Sequence, residues 1–369
     1  MCKMKKKMFL SLTAALLALS ASAQTNFRAI SYDEAIAAAK AENKLVFMDF
    51  YTDWCGPCKR MAREVFPQKE VGDYMNAKFV CIKLNAEKEG KELAGLYKVE
   101  AYPTFIGIDT QGKVVMTKVG ATSTGKEFIT DVDLQINPDK NPDKLKARYE
   151  GGERTPELIA SYAALKLSEF RENRDMAKRK EAFGMVRDYY HGLSEADRLS
   201  PKNLFVYQEY VETPADEAAR FMVEQRGKFD DSTRVEINKV LSSLYRGHIY
   251  GYFGGTTPYD SAAYDMAKKD VLALGLDKEG KYATCFRFIE CHAAGDMDAY
   301  LDLCEREYAK LPEDLQSTLM YNFAELVGKD AAACARAAKF VRSHLAGMKT
   351  GTVLFAAFQL QDLETQDTH

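Results

Sequence analysis

Apolar positions along this chain follow two regimes. Between residues 31 and 133, short apolar runs alternate with segments of helical spacing, and from about residue 155 onward the spacing is almost purely helical. Ser31-Tyr32-Asp33-Glu34 can close a capping box, which predicts a helix through about Lys44 with Ala35, Ile36 and Ala39 on its inner face. Leu45 to Phe50 reads as a buried strand, Lys59 to Val65 as a helix, and Phe79 to Leu84 as the next strand. A polar helix is expected near residues 87–97, then strands Thr104 to Ile108 and Lys113 to Val119 about an Asp109-Thr110-Gln111-Gly112 turn, and a helix from about Ser123. Such alternation specifies an α/β layer rather than a bundle.

Asn137-Pro138-Asp139-Lys140-Asn141-Pro142 and Gly151-Gly152 punctuate the chain, so residues 137–154 are expected to be a linker or boundary. Beyond it, Thr155-Pro156 is a cap followed by proline at the first helical position, and Leu158, Tyr162 and Leu165 recur at helical spacing. Later stripes include Met297, Tyr300, Leu301, Cys304 and Tyr308, then Cys334, Ala337, Ala338, Val341 and Leu345. Breaks at Pro214, Gly254-Gly255, Gly295 and Gly328 divide residues 155–369 into about nine to eleven helices. Gly295 and Gly328 lie 33 residues apart, close to the ~34-residue period of tetratricopeptide arrays, although the usual tryptophan, glycine and proline positions of such arrays are not visible. The expectation is an all-α domain of helical hairpins, with an analogous concave surface for a protein partner.

Composition adds an address. Lys3, Lys5, Lys6 and Lys7 precede an apolar run from Met8 to about Leu19, and Ala21-Ser22-Ala23 follows, so residues 1–23 have the grammar of a secretory signal. The run is too short to span a membrane comfortably, and Cys2 precedes it, a poor place for lipid attachment. No later run reaches transmembrane length, so a soluble, exported chain, cleaved to begin at Gln24, is expected, and it would be periplasmic in a bacterium. A net charge of −3 with both signs interspersed excludes a basic field for nucleic acid.

Export changes how cysteines are read, because an oxidising compartment permits disulfides. Asp53-Trp54-Cys55-Gly56-Pro57-Cys58-Lys59 sits at a strand-to-helix transition. There the first thiol meets unpaired backbone N–H groups at a helix start, which lower its pKa and make it the nucleophile. The second lies one turn inward, where it can resolve a mixed disulfide. Gly56 and Pro57 fit the turn between them. A zinc site would need two further ligands, yet the mature α/β region offers only Cys81 and no histidine. A structural bridge closing so short a loop would restrain little of the unfolded chain.

The run from Met48 to Lys59 resembles thioredoxin, and further matches follow in order: Lys83-Leu84-Asn85, Tyr102-Pro103-Thr104 and Lys118-Val119-Gly120-Ala121. The resemblance covers about residues 30–133, within an expected domain of residues 24–136, and implies the thioredoxin fold, a central mixed sheet flanked by helices. It implies that Cys55 attacks and Cys58 resolves. Asp49 would be the buried carboxylate beneath Cys58 that shuttles its proton, and Lys83 the cation that tunes Asp49. Trp54, Gly56, Pro57 and Tyr102 would line a client groove with a cis-proline at Pro103. The segment from Lys69 to Asp109 is more similar to thioredoxin-7-type domains and to the C-terminal periplasmic domain of the membrane thiol-disulfide interchange protein. Such relatives relay electrons outward, and Gly-Pro between the cysteines resembles reducing members. The expected function is thus reduction of exported protein disulfides, fed by an upstream thiol donor, with no metal or organic cofactor. Oxidase or isomerase activity is the alternative within the enzyme class, and a non-catalytic interaction protein the alternative outside it.

The other cysteines read as packing residues. Cys81 belongs to a buried strand, and Cys304 and Cys334 lie on apolar stripes. Cys285 and Cys291 point apart on one helix, as do Cys291 and His292. Tyr245, Tyr250, Tyr252, Phe253, Tyr259 and Tyr264 crowd the Gly251 to Pro258 break, where packing between helices is favoured over an exposed client platform.

Overall fold

The computed structural model describes residues 24–278 and 280–365. The expected secretory segment, residues 1–23, and Cys2 lie outside the described residues. The first helix, α1 (Tyr32–Glu42), begins at the anticipated capping box: Ser31 accepts from the Glu34 amide, and the Glu34 carboxylate accepts from the Ser31 amide at 2.8 Å. Strand β1 (Leu45–Tyr51) follows, with every residue from Val46 to Phe50 buried. A strand covered on both faces belongs at the centre of a sheet. It runs parallel to β2 (Phe79–Asn85) and antiparallel to β3 (Thr104–Ile108), which pairs in turn with β4 (Val114–Val119). The resulting order is β2-β1-β3-β4.

Side chains alternate across β1, so the sheet has two dissimilar faces. Val46, Met48 and Phe50 pack with Ala35 and Ala39 of α1 and with Ile82, Ile106 and Ile108. Phe47 lies on the other face in a cluster with Met61, Val65, Phe66, Phe105, Phe128 and Val132. Rings dominate there: Phe105 and Phe128 meet edge-on at 5.4 Å, and Phe66 and Phe128 at 5.5 Å. Each buried phenylalanine contributes about 2–3 kcal/mol of transfer free energy. Asp49, two residues after Phe47, points into this same aromatic face.

The helices over that face are α2 (Gly56–Arg60), whose last turn widens into a π-helical segment Met61–Val65, then α3 (Lys69–Lys78) and, after α4 (Lys91–Leu96), α5 (Gly125–Ile136). Helix α2 runs from Gly56 with Cys55 as its N-cap, the helix start that the position of the first thiol predicts. Two features differ from the expected elements. Residues 86–90 turn instead of opening a helix, since the Asn85 side chain accepts from the Glu87 amide at 3.0 Å. Helix α3 was not anticipated.

Residues 137–154 are helical rather than an open linker. Asn137 caps a short 3-10 turn, Pro138–Lys140, and Asn141 caps α6 (Pro142–Glu150). Both prolines sit where a helix begins, a position that needs no N–H, so the same residues that suggest a break also start helices. Helices α7 (Pro156–Asn173) and α8 (Met176–His191) follow. The chain divides into two compact units, and the first runs to Tyr189 inside α8.

The second unit is all helical among its described residues. Its helices are α9 (Glu195–Leu199), α10 (Leu204–Glu209), α11 (Glu217–Glu224), α12 (Asp231–Phe253) and α13 (Ser261–Ala273). Then come α14 (Lys281–Ala293), α15 (Met297–Glu307), α16 (Glu313–Tyr321), α17 (Phe323–Val327), α18 (Ala331–His344) and α19 (Thr350–Thr365). With α7 and α8 counted, the described residues from 155 onward hold thirteen α-helices, above the nine to eleven expected, the excess being short pieces such as α9, α10 and α17. Asp296 and Asp330 cap α15 and α18 just after Gly295 and Gly328, both at φ 79°. The tyrosines near Gly254 are chiefly core: Tyr245, Tyr252 and Tyr264 are buried, whereas Tyr259 stays exposed.

Candidate active site

Strand β1 ends at Tyr51 and delivers the redox loop at the carboxyl edge of the sheet. Cys55 and Cys58 form a disulfide with Cα atoms 5.3 Å apart. Cys55 is the N-cap of α2, and its sulfur accepts from the Cys58 amide at 3.0 Å. That amide is one of the donors a helix start leaves without an intrahelical partner, so a Cys55 thiolate would be stabilised where it forms. Proline at the second helical position, Pro57, needs no donor there. Both cysteines are buried, while Trp54, Gly56 and Pro57 around them are exposed.

Asp49 and Lys83 are opposite each other in the β1–β2 register. Their side chains lie on the aromatic face, and the Lys83 ammonium comes within 3.5 Å of Asp49 Oδ2. Asp49 is 3% exposed, and its Oδ1 is buried without a hydrogen-bond partner among the described residues. Burial pushes its pKa up to about 6, against the opposing pull of the Lys83 charge. Lys83 reaches past the rings of Phe27, Tyr51 and Phe66, at 5.0, 5.5 and 5.7 Å from their centroids. The Phe27 ring is held there because Phe27 bridges to Cys81 on the free edge of β2. Since α2 and its π-helical extension cover this face through Met61 and Val65, Asp49 lies in the layer beneath the helix that carries Cys58.

The Tyr102–Pro103 peptide bond is cis, as expected, and Pro103 is buried at the start of β3. Its carbonyl accepts from the Gly120 amide at 2.8 Å, which ties the end of β4 to the same rim. Tyr102 packs edge-on to the Trp54 indole at 6.0 Å. Trp54, Gly56 and Pro57 flank the cysteines in the loop, Tyr102 stands against Trp54, and Pro103 precedes the strand that pairs with the end of β1, with Asp49 and Lys83 in the sheet.

The loop after β2, which carries no motif of its own, also meets the redox loop. In the structure, the Trp54 indole N–H donates to Glu87 Oε1 at 2.9 Å, and the Asn85 amide donates to Asp53 Oδ1 at 3.0 Å. Lys88 Nζ pairs with Asp53 Oδ2 at 2.7 Å. The signal available was the β-register: parallel strands ending together at Tyr51 and Asn85 must send their next residues side by side. Among the described residues no group of three or more His, Cys, Asp or Glu side chains is placed to hold a metal, and no helix is long and apolar enough to cross a membrane.

A helix-capping cysteine, a second cysteine one turn on, and a buried carboxyl behind them define a thiol-disulfide oxidoreductase. The thioredoxin-like domain model matches residues 32–133. The chain is 33% identical over 120 residues to Thioredoxin-T of Drosophila melanogaster, an alignment covering 32% of this chain and 73% of that one. It therefore belongs to the thioredoxin family. It is also 32% identical over 100 residues to the thiol:disulfide interchange protein DsbD 2 of Pseudomonas aeruginosa, covering 26% of this chain but only 17% of that protein. Among solved structures, a putative disulphide-isomerase from Bacteroides thetaiotaomicron is similar at 42% identity, covering 31% of this chain and 95% of that one with a TM-score of 0.29.

Proposed function

We propose that this protein is an exported thiol-disulfide oxidoreductase that works in the reducing direction, on disulfides of other exported proteins or as an electron relay. The observation that carries the exchange chemistry is the Cys58 amide directed at the Cys55 sulfur, which favours a thiolate at Cys55 over one at Cys58, while the reducing direction rests on the likeness of Gly56-Pro57 to reducing members of the family. In the reduced enzyme the Cys55 thiolate attacks a client disulfide, and one client sulfur leaves as a thiolate that takes up a proton. The mixed disulfide is then resolved by Cys58, whose proton passes to Asp49. Cys58 attacks the Cys55 sulfur, the second client thiol departs, and the enzyme is left with the Cys55–Cys58 disulfide. Two electrons have moved to the client. An upstream dithiol must return them, so the donor belongs to the same chemical class as the enzyme's own site.

With a pKa of about 6, Asp49 is chiefly ionised at neutral pH and can accept that proton, yet is basic enough to hold it. Lys83 keeps the value from rising further. Trp54, Tyr102 and Pro57 supply apolar contact for a client segment, and Gly56 leaves room for it: a Cβ there would meet nothing within 4 Å. Export is supported by the pattern of residues 1–23 and by the similarity to the interchange protein. The helical region is proposed to dock a protein partner, a reading supported by the exposed apolar side chains of Leu354 and Phe358 on α19.

Direction is tested by acid-quenching cells, alkylating free thiols with a mass tag and reading the state of this chain. A substantial reduced fraction at Cys55 and Cys58 is expected. A pair wholly oxidised at steady state would contradict the reducing assignment.

A further inference from the structure

Asn85 is the last residue of β2, paired with Tyr51 at the last position of β1, and it is 1% exposed. Every polar group it carries is used. Its side-chain amide donates to Asp53 Oδ1 at 3.0 Å, and its side-chain oxygen accepts from the Glu87 amide at 3.0 Å. Its backbone N–H donates to Glu89 Oε1 at 2.7 Å, and its carbonyl accepts from the Lys88 and Gly90 amides at 3.0 and 2.9 Å. The loop is drawn in so closely that a Cβ at Gly90 would lie 2.9 Å from the Asn85 carbonyl. A buried amide with both ends satisfied can face only one way, because reversal would set its oxygen against the Asp53 carboxylate and its NH2 against the Glu87 N–H.

The two residues before Cys55 are held by what Asn85 organises. Asp53 is gripped by Asn85 itself and by Lys88. Trp54, 68% exposed, hydrogen-bonds through its indole to Glu87, whose backbone is fixed by the Asn85 side chain. We infer that Asn85 is a positioning residue for client recognition: it locks the loop 86–90 against the redox loop and so sets the orientation of the Trp54 indole on the client-facing rim. This rests on the proposed exchange with protein disulfides. Asn85 touches neither sulfur, and its effect passes through Asp53, Glu87 and Trp54.

The test uses three full-length variants. Asn85→Ala removes both hydrogen bonds, and Asn85→Asp sets a second carboxylate against Asp53. The double variant Asn85→Asp/Asp53→Asn restores one donor facing one acceptor with the same total charge. Trp54 is the only tryptophan, so its emission and its quenching by acrylamide report the rim directly. For dithiothreitol-driven reduction of insulin, Asn85→Asp is expected to raise KM about tenfold with a smaller loss of kcat, the pattern of lost binding. Its Trp54 quenching should rise, and the double variant should bring both readouts back to within about twofold of wild type. Wild-type KM and wild-type quenching in both single variants would overturn the inference, as would failure of the double variant to recover either readout while still folded by circular dichroism. Should Asn85→Ala not fold, the comparison of Asn85→Asp with the double variant decides. Absence of insulin turnover by wild type would strike the proposed function instead, and the quenching comparison would still judge Asn85.

Discussion

At Asp49 the fold holds a carboxyl where its charge is disfavoured. The folded protein keeps the Asp49 proton up to about pH 6, whereas an unfolded chain releases it near pH ~4. Folding therefore takes up a proton between those values, and stability falls as pH rises through that window and stays lower above it. Asp49→Asn should remove this fall and stabilise the protein at pH 8 by up to about 3 kcal/mol. Thermal unfolding of both proteins from pH 4 to 8 checks it, and an unchanged pH dependence in the variant would refute the assignment. Buried thiols behave differently. Cys81, Cys285 and Cys304 are pushed up to about 12 by burial. Iodoacetamide on the native oxidised protein should consequently label the partly exposed Cys291 well before these three, as peptide mass mapping would reveal. The dithiol and its likeness to thioredoxin were legible in the residues themselves, because Cys55, Cys58 and Pro103 carry their chemistry in their side chains or ring. Asn85 was legible only as part of that likeness, and its tie to Asp53 and Glu87 was not, because a hydrogen-bond hub exists only once two strand ends are adjacent.

Helices α5 and α7 meet through charge rather than apolar area alone. Asp131 of α5 is 3% exposed and pairs with Lys118 of β4 and Arg171 of α7, each at 2.6 Å. Lys118 lies across from Phe105, which is across from Asp49, so this tie reaches the row of the sheet that carries the buried carboxyl. Asp131→Ala would leave the mostly buried Lys118 ammonium without its partner and should cost about 3 kcal/mol in urea unfolding. Arg171→Ala, at a residue about one-third exposed, should cost no more than about 1 kcal/mol. Hydrogen exchange should quicken in residues 156–173 in both variants, more in the first. Equal losses would contradict the unequal burial. Strands were the best-read elements, and Thr104–Ile108 has the bounds expected. Helix α3 escaped because Lys69-Glu70-Val71-Gly72-Asp73 offers a weak apolar stripe and a glycine, and its stability comes from Val71 and Met75 packing on the sheet. Gly72 is there because a Cβ would fall 2.6 Å from the Gln24 backbone, a contact that sequence pattern does not reveal.

On the scale of the whole molecule, a redox unit and a helical unit share one chain. The change of regime near residue 155 was visible in apolar spacing, but the first unit continues to Tyr189, since α7 packs onto α5 of the thioredoxin-like layer and α6 packs onto α7. Spacing reports which residues are buried and not which partner buries them. The central claim is that Cys55 and Cys58 together carry out disulfide exchange, and the most direct measurement is turnover of a protein disulfide with dithiothreitol as donor. Wild type should reduce insulin catalytically, Cys55→Ser should lose that activity, and Cys58→Ser should stall as a mixed disulfide through Cys55, trapped and located by mass spectrometry. Equal rates for wild type and Cys55→Ser, or no turnover by either, would contradict it.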